Sequence, residues 1–196
     1  MYNPKACLIP IGGAEDKDGE LENFFEVGIL TKMLSQIPEG GPPRIEVITT
    51  AAADPGSTFA DYREGFKKLG CTTIGHLSIR KRAEAELPQN VARLEACNCV
   101  MMSGGDQLRL STIFGGTAAL DTIRRHYETE QFVIAGTSAG AMVMSNPMIY
   151  EGRAAQANFK GEVKKIPGLG SLDNVIIDTH VDKRGRFSRA LGIGLG

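Results

Sequence analysis

No stretch of this 196-residue sequence approaches the 18 or so consecutive apolar residues that a membrane-spanning helix needs, so no such span is expected. There is no excess of one charge sign. Lys+Arg 22 against Asp+Glu 23 leaves a net charge of −1, which argues against wholesale binding of nucleic acid or of an anionic membrane. Cysteine is scarce: Cys7, Cys71, Cys97 and Cys99 are the four. None forms a C-x-x-C pair, and Cys97-x-Cys99 has no histidine nearby, so no metal site is indicated. They read as buried, reduced thiols of a cytoplasmic protein. The N-terminus, MYNPKACLIPIGG, lacks a charged n-region and a small-residue cleavage site, so a secretory signal is not expected. Nothing in the chain calls for a cofactor.

What is present describes a folded enzyme-sized domain. Hydrophobic residues make up 42% and charged residues 23%, enough for a core and too apolar for disorder. Glycine is over-used: 24 residues, against a usual share of about 7%. The glycines are not periodic, so their positions carry the information.

Short apolar runs end at glycines or turn residues. They are Cys7–Ile11, Ile45–Ile48, Thr73–Leu77, Val100–Met102, Phe132–Ala135 and Val175–Ile177. The runs are continuous rather than alternating, as in strands buried on both faces. Between them, Val27, Leu30, Leu34 and Ile37 recur at helical spacing, as do Phe59, Tyr62, Phe66 and Leu69, with Gly70 as a C-cap. Val91 with Leu94, and Leu120 with Ile123 and Tyr127, mark further helices. The alternation predicts an α/β fold of three layers, a mostly parallel sheet with helices on both faces. In such sheets ligands bind beyond the carboxyl ends of the strands. Gly12, Gly13, Gly104, Gly105, Gly136 and Gly140 all fall on that rim.

Gly136-Thr137-Ser138-Ala139-Gly140 fits G-x-S-x-G between a predicted strand and a predicted helix. That context is what a nucleophile elbow requires: the turn is sharp, the glycines remove clashing side chains, and the serine hydroxyl projects over the sheet. The backbone N–H of Ala139 then faces a developing oxyanion. A serine needs a base, and only three histidines exist. His126 sits in a charged helix and reads as solvated. His76 lies near a strand end without distinctive neighbours. His180, in Asp178-Thr179-His180, follows a predicted strand and shares the rim with Ser138, so it is the expected base. Asp178 and Glu151 are both candidates for the orienting acid, and spacing does not choose between them.

Ser103-Gly104-Gly105-Asp106-Gln107 follows another strand. The N–H of Gly105 offers a second oxyanion donor, Gln107 can bind substrate, and Asp106 either caps the next helix, Gln107–Phe114, or meets the ligand. Asp182–Arg189 holds Lys183, Arg184, Arg186 and Arg189, and arginines at a rim suit bidentate capture of carboxylates. Arg80-Lys81-Arg82 reads as plain surface.

Taken in order, GGAEDK (Gly12–Lys17), SGGDQ (Ser103–Gln107), GTSAGA (Gly136–Ala141) and DTHVDKRGRFSR (Asp178–Arg189) resemble the cyanophycinases, of the serine peptidase family that includes aspartyl dipeptidase (peptidase E). The resemblance spans positions 5–191. It implies a fold like class I glutamine amidotransferases and cytoplasmic hydrolysis of cyanophycin, a poly-aspartate chain with arginine in isopeptide linkage to each β-carboxyl. The implied products are β-Asp-Arg dipeptides, and the implied assembly is a homodimer. Ser138 matches the family nucleophile and His180 its base. Gln107, Arg184, Arg186 and Arg189 match substrate-groove positions. Thr179 stands where the family usually has Gln, and Gly152–Ala157, where an acid is expected, carries none. The family runs on beyond the arginine segment, and Leu191–Leu195 resembles a strand that normally comes later. The expectation is thus one α/β hydrolytic domain over 1–196, shortened at its C-terminus. The competing readings are an aspartyl dipeptidase-like peptidase and a catalytically impaired homologue that only binds. An α/β-hydrolase esterase fits less well, because too little chain follows Ser138 to hold that fold's acid and histidine.

Overall fold

Five parallel strands form the central layer, and their order fixes which loops meet at the rim. They are β1 (Cys7–Ile11), β2 (Arg44–Ile48), β3 (Thr73–Leu77), β4 (Cys99–Met102) and β5 (Val133–Thr137), arranged β1-β5-β4-β2-β3. Parallel registers run through all four pairings, for example Leu8↔Ile134 and Val100↔Ile134. This computed structural model describes residues 4–13, 28–38, 41–151, 164–173 and 175–179.

The helices are α1 (Leu30–Leu34), α2 (Pro55–Lys68), α3 (Pro88–Ala96), α4 (Gln107–Phe114), α5 (Ala118–Thr129) and α6 (Ala139–Met142), with a 3₁₀ turn at Arg82–Glu86. Their ends follow local chemistry. Asp54 opens α2 by accepting from the N–H groups of Gly56 and Ser57, with Pro55 in the first turn, where its missing donor costs nothing. The helix closes on Gly70 at φ +84°, where Gly70 N–H reaches Lys67 O and Cys71 N–H reaches Phe66 O, a Schellman arrangement. Within the predicted Val27–Ile37 helix the described residues include α1, and Val27 lies outside them.

Strand side chains alternate between two cores. Ile45, Val47, Cys99, Met101, Val133 and Ala135 face α1 and α2, meeting Leu30, Met33 and Phe66. Ile48, Val100, Met102 and Ile134 face α3, α4, α5 and α6 on the other side. The predicted three-layer α/β architecture is therefore observed. Among the described residues no helix is long and apolar enough to cross a membrane. Cys71, Cys97 and Cys99 are buried, Cys7 is half-buried, and all four are free thiols. Burial pushes the Cys97 thiol up to about 12, aided by the nearby Glu46 charge.

One charged pair is built into a sheet face. Glu46 of β2 accepts from Arg93 Nε (3.1 Å) and Nη2 (2.6 Å) of α3. Burial pushes the Glu46 carboxyl up against the pull of Arg93. Gly75, opposite Glu46 on β3, has no room for a side chain: a Cβ there would lie 2.3 Å from a Glu46 carboxylate oxygen.

Two readings change. Val175–Ile177 is not a strand; it makes a single antiparallel bridge, Val175 to Asn146, while Ile176 and Ile177 pack against the core. His126 is buried, not solvated: it stacks on Phe132 at 4.6 Å, its Nε2 lies 3.1 Å from Leu94 O, and its Nδ1 lies 2.9 Å from Glu130 Oε2. Its helix turns that position inward although its sequence neighbours are charged. Beyond the sheet, β6 (Ser145–Asn146) pairs with β9 (Leu172–Asp173), and β7 (Met148–Glu151) with β8 (Lys164–Ile166).

Candidate active site

Strand β5 delivers Ser138 to the rim. Its backbone sits at φ +51°, ψ −107°, and it is the one non-glycine residue with positive φ among those described. A conformation of this kind costs on the order of 1–3 kcal/mol and persists only where the surroundings impose it. They do so here. Ser138 N–H donates to Ile11 O at 2.9 Å, and Ser138 O accepts from Ala141 and Met142 to start α6. A Cβ on Gly136 would lie 2.3 Å from Gly140 O, and a Cβ on Gly140 would lie 2.3 Å from Met102 O. Only glycine at both positions lets α6 lie this close to β5 and β4.

The loop after β4 comes alongside. A Cβ on Gly104 would lie 3.5 Å from Ser138 Cβ. Gly105, at φ +134°, leaves no room for a side chain against Ala51 O, 2.1 Å from where its Cβ would stand. Both glycines thus bring backbone close to Ser138 and to the loop after β2. Asp106 donates its N–H to Ala51 O, and its Oδ1 accepts from Leu108 N–H and Arg109 N–H, so it is the N-cap of α4. Gln107 Nε2 lies 3.4 Å from Ile149 O and 3.5 Å from Tyr150 O, tying α4 to β7.

Thr179 is buried, and its hydroxyl donates to Met142 Sδ (3.4 Å) at the end of α6. The chain just before position 180 therefore packs against the helix that begins at Ser138. Asp178 Oδ1 accepts the Thr179 N–H at 2.9 Å. Glu151 ends β7. Its side chain, together with His180, Arg184, Arg186, Arg189 and the GGAEDK residues after Gly13, lies outside what is described.

Three contributors escaped the sequence reading. Tyr62 of α2, predicted only as a core-facing helix position, donates its hydroxyl to Thr137 Oγ1 at 3.1 Å, one residue before Ser138. Burial pushes that phenol up, so it remains a donor. His76 has distinctive neighbours after all: it stacks on Phe59 at 4.3 Å, and Nε2 is 2.8 Å from Thr49 Oγ1. Arg80, expected as plain surface, reaches the rim, with Nη1 at 2.8 Å from Ala52 O and 3.3 Å from Thr50 O. Its place three residues past the end of β3 is the signal that points there.

A parallel sheet between helix layers, with a strained serine between β5 and α6, is the architecture of a serine hydrolase of elbow type. Residues 8–191 match Peptidase family S51, and the chain belongs to that family. It is 35% identical over 190 residues to the cyanophycinase of Nostoc sp. strain PCC 7120, covering 95% of this chain and 60% of that protein. Against the cyanophycinase of Synechococcus elongatus it is 35% identical over 187 residues, covering 95% and 56%. The chain thus spans somewhat over half the length of these curated relatives. Among solved structures, a peptidase from an acI-B1 Actinobacterium superposes with a TM-score of 0.71 at 22% identity, covering 98% of this chain and 77% of that one. A Listeria monocytogenes EGD-e protein provisionally assigned to peptidase E gives 0.62 at 14% identity, covering 96% and 88%. Both share the fold.

Proposed function

We propose that this protein is a serine peptidase that hydrolyses cyanophycin to β-Asp-Arg dipeptides. The observation that carries the proposal is the backbone of Ser138, strained and held between two obligatory glycines at the carboxyl end of β5. The 35% identity to cyanophycinases supplies the substrate class. Ser138 Oγ attacks the α-peptide carbonyl of an aspartyl residue while His180 accepts its proton. Backbone N–H groups of Gly105 and Ala139 hold the oxyanion. Collapse of the tetrahedral species breaks the C–N bond, and His180 returns the proton to the leaving amine. Water then attacks the acyl-Ser138 ester with His180 again as base, releasing the acid and restoring the serine.

Thr179, buried against Met142, supports placing His180 beside the nucleophile. Asp178 and Glu151 are the candidates for orienting His180, and Asp178→Asn beside Glu151→Gln separates them by which loses turnover. Gln107, Arg184, Arg186 and Arg189 are assigned to the substrate groove, whereas Asp106 caps α4 and Thr179 turns its hydroxyl onto Met142. The free thiols suit a reducing, cytoplasmic compartment, and we assign a homodimer, which light scattering tests. The decisive experiment is Ser138→Ala on purified cyanophycin. Release of β-Asp-Arg is expected to vanish, and unchanged release would refute the mechanism. Asp-X dipeptides as parallel substrates distinguish an aspartyl dipeptidase-like activity.

A further inference from the structure

Two guanidinium groups converge on the rim two strands away from Ser138. Arg80 Nη1 donates to Ala52 O at 2.8 Å and to Thr50 O at 3.3 Å, and Arg109 Nη1 donates to the same Ala52 oxygen at 3.2 Å. Neither guanidinium has a carboxylate within ion-pair distance among the described residues. Glu84 takes the backbone N–H groups of Arg80 and Lys81. Asp106 and Asp54 are spent on capping α4 and α2. Two like charges brought onto one carbonyl repel each other, and an anion lying across both relieves that repulsion. Arginine's remaining N–H groups suit a carboxylate. The carbonyls hold the two heads in place, so little freedom is lost on binding.

The position fits one particular carboxylate. From the nucleophile the rim runs β5, β4, β2, so the loop holding Ala52 lies about 10 Å from Ser138 at about 4.8 Å per strand. In the substrate, each arginine is joined through its amine and keeps its own carboxylate. Six bonds separate that carboxylate carbon from the scissile aspartyl carbonyl carbon, an extended reach of about 7 Å. A hydrogen bond of about 3 Å completes the distance. Gly104 and Gly105, bare of side chains, lie between.

We infer that Arg80 and Arg109 form a carboxylate subsite that binds the arginine carboxylate on the aspartyl residue being cleaved. This rests on the proposed function for its ligand, and the test separates the two. Ser138→Ala protein is titrated calorimetrically with β-Asp-Arg and with its analogue bearing an amide in place of the arginine carboxylate. The acid is expected to bind roughly tenfold more tightly than the amide, the scale of one charge-assisted contact. Adding Arg80→Gln and Arg109→Gln removes that preference, and Arg109→Gln alone, which breaks only one carbonyl contact, reduces it about threefold. Absence of dipeptide binding, or an acid-to-amide ratio unchanged by the substitutions, overturns the subsite. If the double variant fails to fold, the ratio in Arg109→Gln decides. The proposed function fails separately, when wild-type protein releases no dipeptide from the polymer although Ser138→Ala binds it.

Discussion

Replacing Gly140 with alanine tests whether the elbow is held by close backbone approach. The new Cβ would stand 2.3 Å from Met102 O, 2.8 Å from Met102 C and 2.9 Å from Met102 Cβ. The obstacle is backbone of a buried central strand, not the mobile end of a side chain, so α6 must retreat from β4 by roughly 1 Å. Overpacking of this kind costs about 1–3 kcal/mol. For a chain of this length that lowers the melting temperature by about 2–12 °C. The larger effect falls on chemistry: Ser138 begins α6, and a displacement of about 1 Å at a reacting group costs on the order of 100-fold in rate. Thermal unfolding reads the first quantity. The rate of Ser138 labelling by a fluorophosphonate reads the second without needing the substrate. Gly12→Ala is the control for stability, because its Cβ would meet nothing within 4 Å, and its melting temperature is expected to match wild type. A Gly140→Ala protein with wild-type melting temperature and labelling rate refutes the reasoning.

Tyr62→Phe removes the hydroxyl that meets Thr137 Oγ1; about 1 kcal/mol of stability and a several-fold slower labelling rate are expected, with urea unfolding as the check on the first. Arg93→Ala leaves Glu46 without its partner and is expected to cost about 2 kcal/mol at pH 7, toward the low side because the guanidinium is 39% exposed. The Glu46 carboxyl is raised in the folded state, so the native protein holds that proton more tightly than the unfolded chain, and Glu46's contribution to stability falls as pH rises above about 4.5. Removing Arg93 raises that carboxyl further, so the deficit of Arg93→Ala is expected to shrink when unfolding is repeated near pH 5. A deficit that stays constant or grows there contradicts the assignment. Gly75→Ala is expected to destabilise by pressing on Glu46, and much less so in a Glu46→Ala background, which a double-mutant cycle measures. Cys71, Cys97 and Cys99 are expected to resist iodoacetamide in the folded protein, with mass spectrometry finding Cys7 modified first.

The sheet was readable because its strands are apolar on both faces and stopped by turn residues. Thr73–Leu77 and Cys7–Ile11 appear with the predicted bounds, and α4 runs from Gln107 to Phe114 as its capping aspartate implies. Val175–Ile177 has the same composition but no partner strand along its length, and composition alone does not distinguish a strand from a loop seated on the core. His126 was misjudged from its charged neighbours, although at helical spacing it falls three residues after the buried Ile123. The elbow was legible because its glycines and serine are contiguous. The Tyr62–Thr137 and Arg80–Ala52 contacts bridge 75 and 28 positions and depend on strand order, which no local pattern reveals. The order β1-β5-β4-β2-β3 places the first strand beside the last of the five, a fact of topology rather than of any segment.

That pairing has a consequence for how the chain assembles. Among the described residues β1 has one neighbour in the sheet, β5, and the Ser138 N–H closes on Ile11 O, 127 positions earlier. During synthesis β1 cannot make this pairing until residues 133–137 have emerged. Contacts this distant in sequence pay their loop-closure entropy early and are rewarded late, which slows folding. The geometry of Ser138 is thus completed by a strand made well before it. No partial product lacking β5 holds a formed elbow.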